Sequence, residues 1–213
     1  MESLIVFDLD GTISDSRDAI LATFRHVARD NGLPTPDADA VVSMIGLSLE
    51  TMFPRLYPNV SDPGQLAADY RARYRVHDAE HTRLFDGAVE TLDRLRARGL
   101  RLAIATSKRQ DGARHTVGRL GIADRFDLVA GDVPERPGKP HPAMLQFVLS
   151  ELGVTPEAAV MIGDTSYDLE MARRAGVRPV GVAWGAHGAE RLSERAPVAT
   201  DWADLTAHLI GER

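Results

Sequence analysis

The sequence contains no cysteine. That excludes disulfides, thiolate metal sites and a cysteine nucleophile. No apolar run approaches the roughly 18 residues of a membrane-spanning helix. Runs of lysine and arginine are missing too, and 25 basic residues face 31 acidic ones, for a formal charge of −6. Such a balance does not suit a binder that grips the nucleic-acid backbone electrostatically. The opening MESLIVFDLD lacks the basic stretch and the long apolar core of a secretory signal. Repeats and low-complexity tracts are absent. A cytoplasmic enzyme is expected, with neither membrane nor nucleic acid as partner.

What is present is an ordinary globular composition: 213 residues, 44% hydrophobic and 26% charged. There is enough apolar mass for a real core, which excludes disorder. The length suits one domain, or one domain carrying an insertion.

The hydrophobic pattern divides the chain. Leu4-Ile5-Val6-Phe7 is a continuous apolar run, as in a strand buried on both faces. From about residue 15 to 82 the pattern becomes helical. Ile20, Phe24 and Val27 recur at helical spacing, and Asn31-Gly32-Leu33-Pro34 stops that helix. Three more helical pieces follow, the last over roughly Pro63 to His81. After Phe85-Asp86-Gly87 strands and helices alternate, with strands expected at Leu100–Ala105, Asp127–Ala130, Ala158–Ile162 and Pro179–Ala183. This rhythm implies an α/β fold: a Rossmann-like parallel sheet with helices on both faces. Residues 1–14 and 83–213 are expected to form the α/β core, and residues 15–82 an inserted all-helical cap.

In open α/β sheets ligands bind beyond the carboxyl ends of the strands. The residues that end each strand therefore come first. Asp8 and Asp10 follow the first strand and point to the same side. Two carboxylates so close need a proton or a cation between them, unless they form a solvated turn leading into Gly11. Asp164 and Asp168 share one helix face, where Asp164 is either a functional acid or a helix cap. Thr106 follows the second strand and is open to the same capping alternative. Lys139 sits in Gly138-Lys139-Pro140, a loop stiffened by Pro137 and Pro142. By itself it reads as a surface lysine. Taken together, these are the residue types of phosphoryl transfer. Carboxylates hold a hard cation, while an ammonium and a hydroxyl hold phosphoryl oxygens.

Four motifs in this order resemble those of the haloacid dehalogenase-like superfamily. They are Asp8-Leu9-Asp10-Gly11-Thr12-Ile13, Thr106-Ser107-Lys108, Gly138-Lys139-Pro140 and Gly163-Asp164-Thr165-Ser166-Tyr167-Asp168. Gly181-Val182-Ala183-Trp184-Gly185 is similar to the phosphoglycolate phosphatase branch. The resemblance implies a Mg²⁺-dependent phosphatase of a small phosphorylated metabolite, with 2-phosphoglycolate as the leading substrate. A pyrophosphatase or nucleotidase on the same site is the alternative. A phosphomutase is a weaker one, since no cap residue identifies itself as the extra base. It further implies that Asp8 is the nucleophile and Asp10 the general acid and base. Asp164 would ligate Mg²⁺ with Asp8 and the Asp10 backbone carbonyl. Asp168 would support the metal through its waters or through Lys139. Thr106 and Lys139 would bind the phosphoryl group, with Ser107 and Lys108 bordering the substrate. Gly46, in Gly46-Leu47-Ser48, resembles a cap specificity loop offering backbone N–H groups to a second anion, though a plain interhelix turn reads equally well.

Two further features stand outside these motifs. His77 and His81 have the i, i+4 spacing of a metal pair. Read without a third ligand, they are expected on a solvated helix face. Trp184 is expected in the core or a pocket wall.

Overall fold

The computed structural model describes residues 2–211. Six strands form one parallel sheet in the order β5-β4-β1-β6-β7-β8. They are β1 (Leu4–Phe7), β4 (Arg101–Arg109), β5 (Leu128–Asp132), β6 (Ala159–Gly163), β7 (Arg178–Val182) and β8 (Val198–Ala199). The helices outside the insert are α5 (Ala88–Ala97), α6 (Gln110–Arg119), α7 (Ala143–Leu152), α8 (Ser166–Arg174), α9 (Ala189–Ser193) and α10 (Trp202–Ile210).

The unbroken apolar run of β1 is explained by its position. It lies between β4 and β6, and successive residues serve opposite faces. Ile5 and Phe7 join a core with Leu92 and Leu95 of α5 and Leu205 of α10. Leu4 and Val6 join a second core with Met144, Leu145 and Val148 of α7 and Met171 of α8. The chain builds the sheet outward to β5, then returns to β6 beside β1. That reversal places the end of β1 and the end of β6 at the crevice where such sheets bind ligands.

Between β2 (Ser14–Asp15) and β3 (Arg83–Leu84) lie four helices: α1 (Arg17–Asp30), α2 (Ala38–Met44), α3 (Leu49–Leu56) and α4 (Pro63–His81). β2 and β3 pair antiparallel, so the insert leaves and re-enters the core side by side. Local chemistry sets the helix starts. Asp37 accepts the Ala40 N–H at 2.8 Å, and Asp62 accepts the Gln65 N–H at 2.9 Å ahead of Pro63. The insert has its own aromatic core, in which Phe24 stands 5.1 Å from Phe53 and 4.8 Å from Tyr70. Tyr167 and Ala186 of the α/β core pack against it.

The expected strands lie within one or two residues of the observed ones, with one consequential difference. β4 runs on through Thr106, Ser107 and Lys108 to Arg109, with a register shift between Ala105 and Arg109. The extension stays paired to β5 through Arg109 and Asp132 and brings Ser107 to the Gly46 loop of the insert. No helix among the described residues is long and apolar enough to cross a membrane.

Candidate active site

Asp8 stands at the crevice because its N–H continues the β1–β6 ladder, donating to the Ile162 carbonyl at 2.9 Å. Its side chain is buried. Lys139 is buried as well, so it is not a surface lysine. Its Nζ donates to Asp8 Oδ1 at 2.7 Å and to Asp168 Oδ1 at 2.6 Å. Asp168 is the N3 residue of a capping box whose N-cap is Thr165. Its Oδ2 accepts from the Thr165 N–H at 3.1 Å and the Thr165 hydroxyl at 2.6 Å. Asp164 precedes that cap and is not itself the cap. Its Oδ1 accepts from the Thr12 hydroxyl at 2.8 Å and its Oδ2 from the Ala186 N–H at 2.7 Å.

Carboxylate oxygens of Asp8, Asp164 and Asp168 lie within 4.8 Å of one another. Burial pushes the Asp8 carboxyl up to about 7, with Lys139 opposing the rise and Asp168 adding to it. Burial, then Asp8 and Asp168, push Asp164 up to about 8. For Lys139 burial works against the charged form, but Asp168 and Asp8 outweigh it and hold its pKa above the ordinary lysine value. One ammonium among three carboxylates leaves two negative charges unbalanced. The donor set is all oxygen and buried, which fits a hard divalent cation of the Mg²⁺ class. The backbone closes tightly on this group. A Cβ on Gly11, whose φ is +87°, would lie 2.3 Å from Asp164 Oδ2, and one on Gly185 would lie 2.2 Å from Asp164 Cβ.

Asp10 is set apart from the three. Its Oδ2 pairs with Lys108 Nζ at 3.1 Å, and its Oδ1 is buried without a hydrogen-bond partner. Its carboxylate therefore lies outside the acid cluster, and the ligand atom expected from it is the backbone carbonyl. Lys108 Nζ also lies 3.9 Å from the centre of the Tyr74 ring on α4, a cation–π contact that joins core to insert. Thr106 is buried within β4, and α6 begins only at Gln110, so Thr106 does not cap that helix. Ser107 donates its hydroxyl to the Gly46 carbonyl at 2.6 Å, a second tie to the insert. In the Gly46 loop the Leu47 N–H is already bonded to the Met44 carbonyl. Gly46 itself has φ +98°, and a Cβ there would meet Thr165 Oγ1 at 2.8 Å.

Asp8, Asp10, Thr106 and Lys108 line one side of a cavity of about 540 Å³. Ile20, Phe24, Leu47, Met52, Tyr70 and Tyr74 of the insert line the other. Arg71, Arg75 and Asp78 of the insert line it too, so the charged floor lies under a roof that mixes aromatic and charged side chains.

Some of this arrangement has no counterpart in the expectations from sequence. Thr12 and Gly185 stood inside quoted motifs without an assigned task. The Thr12 carbonyl also accepts from Trp184 Nε1 at 3.0 Å, which seats that residue against the core. The Ala186 N–H is a backbone donor and leaves no trace in residue type.

Residues 5–182 match the pattern of the haloacid dehalogenase-like hydrolase family. The chain belongs to that family. Among relatives, it is 38% identical to a probable phosphatase, IndB, of Dickeya dadantii, over 92% of this chain and 88% of that one. It is 31% identical to a phosphoglycolate phosphatase of Chromobacterium violaceum, over 98% and 93%. It is 35% identical to the tyrosine-protein kinase PtkA of Mycobacterium tuberculosis over 85% of this chain, and spans 62% of that protein's length. A solved haloacid dehalogenase-like hydrolase from Streptococcus pneumoniae superposes with a TM-score of 0.88 at 28% identity, covering 98% of both chains. As a member of this family the protein is a hydrolase of the phosphatase type.

Proposed function

We propose that this haloacid dehalogenase-like hydrolase is a Mg²⁺-dependent phosphatase of a small phosphate monoester, working in the cytoplasm with residues 15–82 as a cap. The observation that carries the reading is Lys139, buried between Asp8 and Asp168 at the crevice where Asp164 also converges. In a first step the Asp8 carboxylate attacks phosphorus, and the bond to the leaving alcohol breaks. Asp10 gives that alcohol its proton from Oδ1, the oxygen that has no other partner, while Lys108 holds Oδ2. In the second step Asp10 takes a proton from water, which attacks the phosphoryl group on Asp8 and frees inorganic phosphate. Lys139 and Thr106 hold the phosphoryl oxygens throughout. Asp8 and Asp164, with the Asp10 backbone carbonyl, would hold Mg²⁺, and Asp168 would fix Lys139 behind them. The cation supplies neutralisation of the charge that two acids and a phosphate bring together. The insert excludes water and reads the leaving group.

Resemblance to the phosphoglycolate phosphatase branch makes 2-phosphoglycolate the leading substrate. The cavity favours a second reading. About 540 Å³ is room for a much larger leaving group than glycolate, between walls that offer both aromatic and charged side chains. A nucleotidase fits those walls, because Tyr70 and Tyr74 stack with their centroids 5.6 Å apart and could carry a base. A pyrophosphatase does not need them. The test is a Mg²⁺-dependent phosphate-release screen over 2-phosphoglycolate, nucleotides, pyrophosphate and sugar phosphates, with Asp8→Asn as control. Turnover of 2-phosphoglycolate that Asp8→Asn abolishes is expected. Preference for a nucleotide selects the second reading, and full activity of Asp8→Asn overturns the nucleophile.

A further inference from the structure

A cluster at the C-terminal end of α4 takes no part in this chemistry. His77, Glu80 and His81 each bring one ligand atom to within 4.8 Å of the others. Residues i, i+3 and i+4 share a helix face, so their convergence is built into α4. The expectation of a solvated histidine pair without a third ligand is corrected on two counts. Glu80 supplies the third group. His77 is only 7% exposed, held between α4 and α1.

The two ring nitrogens of His77 have different surroundings. Nε2 lies 2.6 Å from Nδ1 of His26 on α1, with the rings stacked at 4.6 Å between centroids. Nδ1 is buried and has no hydrogen-bond partner. It faces Glu80 Oε2 at 3.8 Å, and His81 Nε2 lies 3.6 Å from the same oxygen. A histidine that donates one ring N–H to a fixed acceptor and aims the other, unprotonated nitrogen at a carboxylate and a second imidazole is arranged as a metal ligand. His26 is that acceptor when the proton sits on His77 Nε2. Ligand atoms around tetrahedral zinc stand roughly 3.3 Å apart, given metal–ligand bonds of about 2.0–2.1 Å. The 3.6 and 3.8 Å separations are within a few tenths of an ångström of that value, and the third, between the two imidazoles, is within 4.8 Å and closes by movement of the exposed His81. Glu80 and His81 are 57% and 45% exposed, so an ion reaches the site from solvent.

We propose that His77, Glu80 and His81 form a second, separate site for a borderline divalent cation such as Zn²⁺, with His26 orienting His77 and water completing the coordination. Two imidazoles and one carboxylate select Zn²⁺, Co²⁺ or Ni²⁺ over Mg²⁺, so this site and the acid cluster differ in the ion they prefer. The position gives it a structural effect. One residue after His77, Asp78 accepts from Thr116 and Arg119 of α6 at 3.1 and 3.0 Å, and β3 follows at Arg83. An ion here stiffens the point where the insert rejoins the core.

The test titrates Zn²⁺ into the full-length protein in excess Mg²⁺ by calorimetry, and Co²⁺ with visible absorption as the readout. One Zn²⁺ equivalent and intense tetrahedral Co²⁺ bands are expected. Both should vanish in His81→Ala and weaken in Glu80→Gln, variants of exposed side chains that leave the fold intact. His26→Ala should weaken Zn²⁺ binding about 10–100-fold and shift the Co²⁺ bands, which a merely structural role would not do. Equal Zn²⁺ binding by wild type and His81→Ala overturns the proposal. So does zinc that is lost only in Asp164→Asn, because that ion sits in the acid cluster.

Discussion

In the α/β core buried charge is concentrated, and in the helical insert buried surface is aromatic. Asp8, Asp164, Asp168 and Lys139 all lie under the sheet's carboxyl edge. The insert buries Phe24, Phe53, Tyr57, Tyr70 and Tyr74, and its buried acid, Asp78, pairs with Arg119 of the core. A sheet whose strands all run one way can tolerate such charge at one edge, because its apolar strands are complete before the acids begin. The difference separates two tasks. The core holds groups that must stay charged and close, which costs stability. The insert provides the aromatic surface over it, tied to the charged groups through Tyr74 against Lys108 and Gly46 against Ser107.

Asp8→Asn tests the core's share most severely. It is expected to lower kcat by at least ~10³-fold, about 4 kcal/mol of barrier at 1.36 kcal/mol per decade. Stability of the metal-free protein should not fall at pH 8, because burial already disfavours the charge that is removed. A variant that loses stability and activity in parallel would show that Asp8 serves the fold and not the chemistry.

The next pair sets the regions against each other. Lys139→Met leaves Asp8 and Asp168 without their shared ammonium, and breaking a buried pair from one side costs about 3–5 kcal/mol. Phe53→Ala cuts a cavity into the insert at a similar cost of about 3–5 kcal/mol. Thermal denaturation should find both weakened. Mg²⁺ affinity should separate them, changing in Lys139→Met and staying put in Phe53→Ala. If Phe53→Ala also disturbs Mg²⁺, the two regions are not independent.

Between about pH 4 and 8 the two raised carboxyls of the core should dominate the response to pH. The Asp8 and Asp164 carboxyls keep protons in the fold to about 7 and about 8, while in the unfolded chain they release them near 3.8. Between those values the folded state binds more protons, so metal-free stability falls as pH rises from about 4 to 8. Mg²⁺ binds the deprotonated pair, so its stabilisation should be larger at pH 8 than at pH 6. At a hundred times Kd it is worth about 2.7 kcal/mol, and each kcal/mol moves Tm by about 2–4 °C in a protein of this size. A Tm that rises with pH in metal-free buffer would contradict the assigned directions.

The same division governs what the residues disclose by themselves. Strand ends are legible because an apolar run that stops at Asp8 or Asp164 has one place to stop in a parallel sheet. Helix α4 was legible over roughly Pro63 to His81 from its content of alanine, arginine and tyrosine. β2, β3 and β8 were not, because two residues carry no period. Asp10 paired with Lys108, Ser107 bonded to Gly46 and Tyr74 beneath an ammonium all join segments far apart in sequence. The first depends on how two strand ends meet in the core and the other two on how the insert seats on it, and no local pattern records either. His26 against His77 is hidden for the same reason, since the spacing of His77 and His81 describes only one of the two helices.

Ser107→Ala probes the seam between the regions with the mildest change. Its hydroxyl spans from β4 to the Gly46 carbonyl at 2.6 Å in a half-buried position. A neutral hydrogen bond of this kind contributes about 1 kcal/mol, and the Gly46 carbonyl left behind can turn to water. Global stability should drop by about that amount or less. The informative readout is kinetic. If the insert reads the leaving group while the core does the chemistry, loosening the Gly46 loop should raise KM and leave kcat nearly unchanged. The rise should be greater for a bulky nucleotide, which must touch the insert's walls, than for 2-phosphoglycolate, which sits on the charged floor. A fall in kcat with KM constant would mean that the seam holds Thr106, the next residue along β4, in place on the phosphoryl group, and that the boundary between chemistry and recognition lies inside the strand.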